Sequence, residues 1–125
     1  MRHISFALTT PQIIARTKTV TRRVAWKFVK RGDLLQAVEK GQGLKKGEHV
    51  RKLCVIRVVD VRREELRRMV DDLEYGRVEC ALEGFPEMSP AEFFEMFRRH
   101  NKTHGFMPWS ECTRIAFEFV DEATS

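Results

Sequence analysis

The sequence predicts a small α+β fold, a barrel-like arrangement of strands mixed with short helices. Three observations lead there. Stretches of β-branched and aromatic residues alternate with short segments that carry helix-cap signals. Their order lacks the strand–helix–strand rhythm of a parallel α/β sheet. The chain of 125 residues, 42% hydrophobic and 33% charged, is long enough to bury a core and short enough to form one domain over 1–125.

Residues 3–8, HISFAL, read as the first strand. Thr10 before Pro11 reads as an N-cap followed by an N1 proline, so a short helix is expected over 11–16. KTVTRR, 18–23, is rich in threonine and valine and reads as a strand. Its period-2 alternation puts Lys18, Val20 and Arg22 on one face and Thr19, Thr21 and Arg23 on the other. Lys18 and Thr21 therefore work together only if a bulge or turn breaks the strand. Arg31-Gly32-Asp33 is a turn into the strand LLQAV, and 41–47, GQGLKKG, is a glycine-rich loop.

KLCVIRVVDV, 52–61, is the most apolar strand and is expected at the centre of the sheet. Over 62–75, Leu66, Met69, Val70 and Leu73 fall at helical spacing. Ser89-Pro90-Ala91-Glu92 combines an N-cap, an N1 proline and a capping-box glutamate. The helix it opens carries Phe93, Phe94, Met96 and Phe97 on an apolar face that reads as core. TRIAFEFV closes the domain as a half-buried strand, with Ile115, Phe117 and Phe119 alternating against Arg114, Ala116 and Glu118. Residues 121–125 read as a frayed tail.

With 23 basic and 18 acidic residues the formal charge is +5, which favours a phosphate-bearing partner. No apolar run spans a bilayer, and the apolar patch near the N-terminus is too short for a signal sequence. No membrane partner is expected, and cytoplasmic residence is. Cys54, Cys80 and Cys112 form neither a disulfide framework nor a C-x-x-C pair, so they read as reduced thiols. The commonest nucleotide, metallohydrolase and serine-hydrolase motifs are absent. Among His3, His49, His100 and His104, only the last two are near each other, and Asn101 and Gly105 mark a helix end there. No metal and no cofactor are expected.

What remains is RTKTVTRR, 16–23: four basic residues and three threonines without an acid. It reads equally as a basic strand or as chemistry. A lysine near a threonine hydroxyl stabilises the alkoxide or, with a depressed pKa, removes its proton. Glu83, beside Leu82 and Gly84-Phe85-Pro86, is an acid in apolar company, suited to shuttling protons. Trp26 and Trp109 suit base stacking or core packing equally, while Phe28 reads as core.

At these residues the sequence resembles the ASCH-domain family, small relatives of the PUA RNA-binding domain. The family's motif is a glycine, a lysine two positions on, an acid or threonine three later and an arginine two beyond. Arg16, Lys18, Thr21 and Arg23 occupy those places, with arginine where the family has glycine. Gly32-Asp33-Leu34-Leu35, CVIRVVDV and Glu83-Gly84-Phe85 before a helix also fit, and the wording is similar to phage and prophage members. The resemblance implies a PUA-like β-barrel over about Ile4 to Val120, with short helices at its rim and a cleft holding the motif.

Some members of that family remove the acetyl group of N4-acetylcytidine with a lysine, a threonine three residues later and a glutamate further on. The resemblance thus implies Lys18 as activator, Thr21 as nucleophile and Glu83 as acid/base. Thr19, Arg22, Arg23, Trp26 and Arg16 would bind substrate or phosphate. The partner expected is RNA or a modified nucleoside. A non-catalytic RNA-binding module, using the basic stripe of Lys18, Arg22, Arg23, Lys27, Lys30 and Arg31, and a metal-independent ribonuclease remain alternatives; the oligomeric state stays open.

Overall fold

The computed structural model describes residues 1–41, 45–102, 105–107 and 109–120. The centre of the glycine-rich loop, His104 and the expected tail over 121–125 lie outside the described residues. The elements are β1 (Arg2–Ser5), α1 (Thr10–Ile14), β2 (Val20–Arg23), β3 (Leu34–Val38), β4 (Lys52–Glu65), α2 (Arg68–Asp71), α3 (Leu73–Leu82), α4 (Pro90–His100) and β5 (Glu111–Phe119). Five strands form one mixed sheet in the order β1-β3-β4-β5-β2. β1 and β3 run parallel, and the other neighbours are antiparallel. The sheet curls into a half-barrel, the α+β architecture expected, with β1 and β2 at its open edges. Arg23 on β2 reaches across to donate from Nη2 to the Ser5 carbonyl of β1 at 2.6 Å.

β4 dominates the sheet. Its Val58 pairs with Phe117 and its Asp60 with Ala116, so Val59 is the extra residue of a β-bulge. Past this bend the strand continues to Glu65, where a helix was expected from residue 62. Pairing of residues 60–65 with β5 outweighs their helical propensity. The helical stretch then splits in two at Asp72, whose backbone is extended and whose side chain accepts from the Tyr75 amide at 3.2 Å to cap α3. Leu66 and Met69 are fully buried as the spacing predicted, but Leu73 lies beyond the break and is half exposed. α3 runs on to Leu82, seven residues past the predicted limit.

The other boundaries move less. Thr9, not Thr10, occupies the N-cap of α1, and Thr10 Oγ1 donates to the Phe6 carbonyl at 2.8 Å. β1 stops at Ser5, and β2 begins at Val20 instead of Lys18. α4 has the full capping box, with Ser89 Oγ accepting from the Glu92 amide and Glu92 Oε1 from the Ser89 amide. No helix among the described residues is long and apolar enough to cross a membrane.

Two apolar clusters result. One fills the curl of the sheet with Ile4, Phe6, Ile13, Leu35, Ile56, Ile115 and Phe117 among others. The second holds the helices with Leu66, Met69, Cys80, Phe93, Phe97, Phe106 and Cys112. Two burial expectations fail. Phe28 is 49% exposed, with the Arg2 guanidinium 4.2 Å from its ring centre. Arg114, expected on the polar face of β5, is buried because α3 covers it with a carboxylate.

Gly76 sets how closely the helices approach. A Cβ there would lie 2.0 Å from the Met69 carbonyl oxygen and 2.8 Å from Pro90 Cγ, so α2, α3 and the start of α4 would all have to separate. Gly76→Ala should therefore lower stability by about 3 kcal/mol or more through overpacking. Urea denaturation checks this, and an unchanged midpoint would refute the close approach.

Candidate active site

Two helix ends build the site. At the end of α1, the Thr17 amide donates to the Gln12 carbonyl (2.9 Å) and the Arg16 amide to the Ile13 carbonyl (3.1 Å), a Schellman motif. Arg16 is its left-handed residue at φ 60°, where glycine is the usual occupant. At the end of α3, the Phe85 amide donates to the Cys80 carbonyl (2.9 Å) and the Gly84 amide to the Ala81 carbonyl (3.0 Å), a second such motif with Gly84 at φ 96°. The two ends pack together. Gln12 Nε2 donates to the Gly84 carbonyl at 3.3 Å, and a Cβ on Gly84 would sit 2.9 Å from Gln12 Cγ and 3.3 Å from Lys18 Cβ.

This packing supplies the turn that the alternation of 18–23 demanded. Lys18 precedes the strand, so its side chain is released from the pleat and reaches the end of α3. Its Nζ donates to the Glu83 carbonyl at 2.9 Å and to Glu83 Oε1 at 2.8 Å. Within β2 the alternation holds: Thr21 and Arg23 line a cavity, and Arg22 points toward α3.

Beneath the cavity lies a buried ion cluster. Tyr75, Glu79 and Glu83 recur every four residues on α3 and so form one stripe. Glu83 Oε2 accepts from Arg22 Nη1 at 3.0 Å. Arg22 Nη2 donates to Glu79 Oε1 (2.5 Å) and to Glu64 Oε1 on β4 (3.3 Å). Glu79 also takes Arg114 of β5 in a two-bonded fork at 2.6 and 3.1 Å. Tyr75 Oη donates to Glu64 at 2.8 Å and accepts from Arg62 Nη2 at 2.6 Å. Arg22 Nε is the buried side-chain polar atom left without a partner among the described residues.

Burial and pairing divide the cations. Desolvation pulls the Lys18 pKa down, and Glu83 only partly restores it. Arg22 is desolvated too, but Glu83, Glu79 and Glu64 together raise its pKa above the arginine norm. Burial lowers Arg23 to about 10, so it stays a cation at neutral pH. For Glu79 the desolvation that favours its neutral form is outweighed by Arg114 and Arg22, and its pKa falls. Burial lifts the Cys80 and Cys112 thiols to about 11 and about 12, which removes both as nucleophiles near neutrality.

The cavity measures about 550 Å³. Lys18, Thr21, Arg23 and Glu83 give it a polar floor, Phe85, Phe93, Met96 and Phe97 an apolar wall, and Trp26, His100 and Asn101 further lining. Thr21 Oγ1 accepts from Arg23 Nε at 3.1 Å. Three residues expected to bind substrate are placed otherwise. Arg22 borders the cavity, but its side chain has no exposed surface and is spent on three carboxylates. Thr19 does not line the cavity; its amide donates to the Leu82 carbonyl and its carbonyl accepts from the Phe117 amide, both at 2.9 Å. Arg16 lies outside it too, its guanidinium 5.3 Å from the centre of the Phe119 ring. Sequence reasoning missed Glu64, Glu79 and Arg114, and treated Phe93 and Phe97 as core alone. The four-residue spacing of Tyr75, Glu79 and Glu83 was the available signal for the cluster.

No protein-family model matches the chain, and no curated protein matches it. Solved structures do share its architecture. Hypothetical protein PH0355 superposes with a TM-score of 0.63 at 16% identity, covering 96% of this chain and 100% of that one. An ASCH domain from Lactobacillus crispatus JV V101 gives 0.62 at 14% identity, over 94% of this chain and 79% of that one. Protein EF3133 from Enterococcus faecalis V583, described with the family DUF984, gives 0.60 at 16% identity, over 91% and 71%. The fold is therefore ASCH-like, a small PUA-like half-barrel.

Two substitutions test this construction. Glu79→Ala leaves Arg22 and Arg114 buried with too little negative charge and should cost about 3–5 kcal/mol. Arg16→Gly relieves the left-handed backbone and should raise stability by about 1 kcal/mol, net of the lost ring contact. Chemical denaturation of both variants reads the signs, and a neutral Glu79→Ala would remove the cluster from its structural role.

Proposed function

We propose that the cavity is the active site of an amidohydrolase that deacylates an N4-acylated cytosine. One observation carries the reading: a buried Lys18–Glu83 ion pair, at 2.8 Å, lies on the floor of a cavity that also holds the Thr21 hydroxyl. The volume is that of a small-ligand site, with few polar groups against apolar walls. A site of this kind suits a planar base, with its acyl group turned to the floor. The likeness of Arg16, Lys18, Thr21 and Arg23 to the ASCH motif favours the same chemistry, as analogy.

In this mechanism Lys18 of the pair first loses its proton to solvent, which its lowered pKa favours, and then takes the proton of Thr21 as Oγ1 bonds to the acyl carbon. The oxyanion forms beside the Arg23 guanidinium, which is already hydrogen-bonded to Thr21 and keeps its charge at neutral pH. The C–N bond then breaks, and the Lys18–Glu83 pair delivers the proton to the departing amine. Water, deprotonated by the same pair, then bonds to the acyl carbon; the C–Oγ1 bond breaks, the pair returns the proton to Thr21 Oγ1, and the acyl group leaves as a carboxylic acid. The rival reading of RTKTVTRR as a solvated basic strand fits poorly, because the Lys18 and Arg22 side chains are 4% and 0% exposed.

The test is hydrolysis of N4-acetylcytidine followed by its ultraviolet spectrum. Lys18→Ala and Thr21→Ala should each lower kcat/KM by about 100-fold or more, and Thr21→Ser should keep part of the activity. Wild-type protein that leaves this nucleoside intact, free and within RNA, would overturn the proposal.

The pH profile provides a second check. A lysine base works unprotonated, so kcat/KM should rise with pH through the Lys18 pKa. Burial places that rise below the ordinary lysine value of 10.5. A rise centred at or above pH 10.5 would exclude a buried Lys18 as the base.

A further inference from the structure

A second, shallower cavity of about 360 Å³ lies over β1 and β3, lined by Arg2, Phe28, Lys30, Asp33, Leu34 and Leu35. It connects to the deep one through aromatic rings. Phe28 lines the shallow cavity, Trp26 the deep one, and their ring centroids are 5.1 Å apart. The Arg2 guanidinium lies 4.2 Å from the Phe28 centroid. Trp26 itself sits at φ 62°, a backbone region that a bulky residue rarely occupies. Strain of this kind persists where a side chain must be aimed.

Charge completes the ledge. Arg2 and Lys30 line the same cavity as Phe28, and Lys27 and Arg31, beside them in sequence, are exposed. Asp33 does not offset them fully: its Oδ2 accepts from the Lys30 amide at 2.9 Å, inside the turn. Phe28 is 49% exposed and Leu34 44%, an apolar surface rimmed by cations. Stacking rings interleaved with cations suit a single-stranded phosphodiester chain, with its bases against the rings and its phosphates on the cations. A free nucleoside in the deep cavity would leave this ledge unused.

We propose that the substrate is a single-stranded polynucleotide, its target base inserted into the deep cavity and the adjoining nucleotides held along Trp26, Phe28, Arg2, Lys27 and Lys30. This rests on the reading above for the chemistry, and on the ledge alone for the binding. The ledge is therefore tested without catalysis, by fluorescence anisotropy with labelled unmodified 12-nucleotide RNA and DNA at 50 and 200 mM KCl. Wild-type protein should bind, and Lys27→Glu/Lys30→Glu should weaken binding at least tenfold. Removing two phosphate contacts should also make the log–log salt slope shallower by about 1.4. Phe28→Ala should weaken binding with little change in that slope. Loss on RNA alone assigns recognition to ribose, and equal loss on both strands assigns it to the shared backbone.

Deacetylation then separates the two proposals. With N4-acetylcytidine inside the RNA, Lys27→Glu/Lys30→Glu should lower kcat/KM about tenfold while turnover of the free nucleoside is unchanged. Strand binding without any deacetylation would sink the enzyme reading and keep the ledge. Turnover of free nucleoside with no strand binding at 50 mM KCl, or binding indifferent to both variants, would overturn the ledge.

Discussion

Glu79 and Glu83 enter the sheet from one face of α3 and meet Arg22, Arg114 and Lys18 there, with Glu64 rising from β4. Each charge has lost nearly all its water, so each depends on its partners staying in place. Buried ion pairs of this kind are weak sources of net stability, because desolvation consumes most of the attraction; breaking one side is nevertheless costly. The consequence is specificity of position. α3 cannot slide by a turn along the sheet without stranding a carboxylate, whereas an apolar face would tolerate the slip. The end of α3 is thereby fixed, and with it Glu83 and the carbonyl that Lys18 grips.

The same logic explains why strain is tolerated beside β2. Arg16 and Trp26 both hold left-handed backbone, one on each side of the strand. At Arg16 the left-handed residue closes the end of α1 and sends the chain back so that Lys18 leaves the pleat. Left-handed backbone costs about 1–2 kcal/mol for a residue with a Cβ. The Arg16 contact with Phe119 offsets part of it. Gly84 has no such choice, since Gln12 and Lys18 occupy the space of its missing side chain. Of the two helix ends, the one on α3 requires glycine for room as well as for backbone, whereas the one on α1 favours it for backbone alone and accommodates arginine.

Elements with a local cause were legible in the sequence. The capping box at Ser89 and Glu92, the Gly32-Asp33 turn into β3 and the apolar run of β4 each carry their signal within a few residues, and the structure has all three. Residues 62–65 were not legible, because their strand state comes from pairing with β5, about fifty positions away. The break at Asp72 was missed since Leu66, Met69 and Leu73 keep helical spacing across it. For the site, Lys18 and Glu83 were singled out and do meet. Glu83's neighbours in sequence misled, however: Leu82 and Phe85 suggested apolar surroundings, while Lys18 and Arg22 take its two oxygens. Glu64, Glu79 and Arg114 look like surface charges in any local window.

Four cations within eight residues thus acquire three environments. Arg16 is outside, on a ring; Arg22 is sealed under the floor; Lys18 and Arg23 face the cavity. The pairing of Glu83 gives this division its chemical sense. One of its oxygens is held by Arg22, whose pKa is raised and which keeps its proton at any working pH. The other is held by Lys18, whose pKa burial has lowered. In the proposed mechanism a proton moves on the Lys18 side while the Arg22 side keeps the carboxylate in place. Had both partners been lysines, loss of a proton would also loosen the group that must receive or return it. On that proposal an arginine anchor and a lysine acceptor on one carboxylate separate positioning from proton transfer, and that separation lets the pair stay ordered in a buried floor.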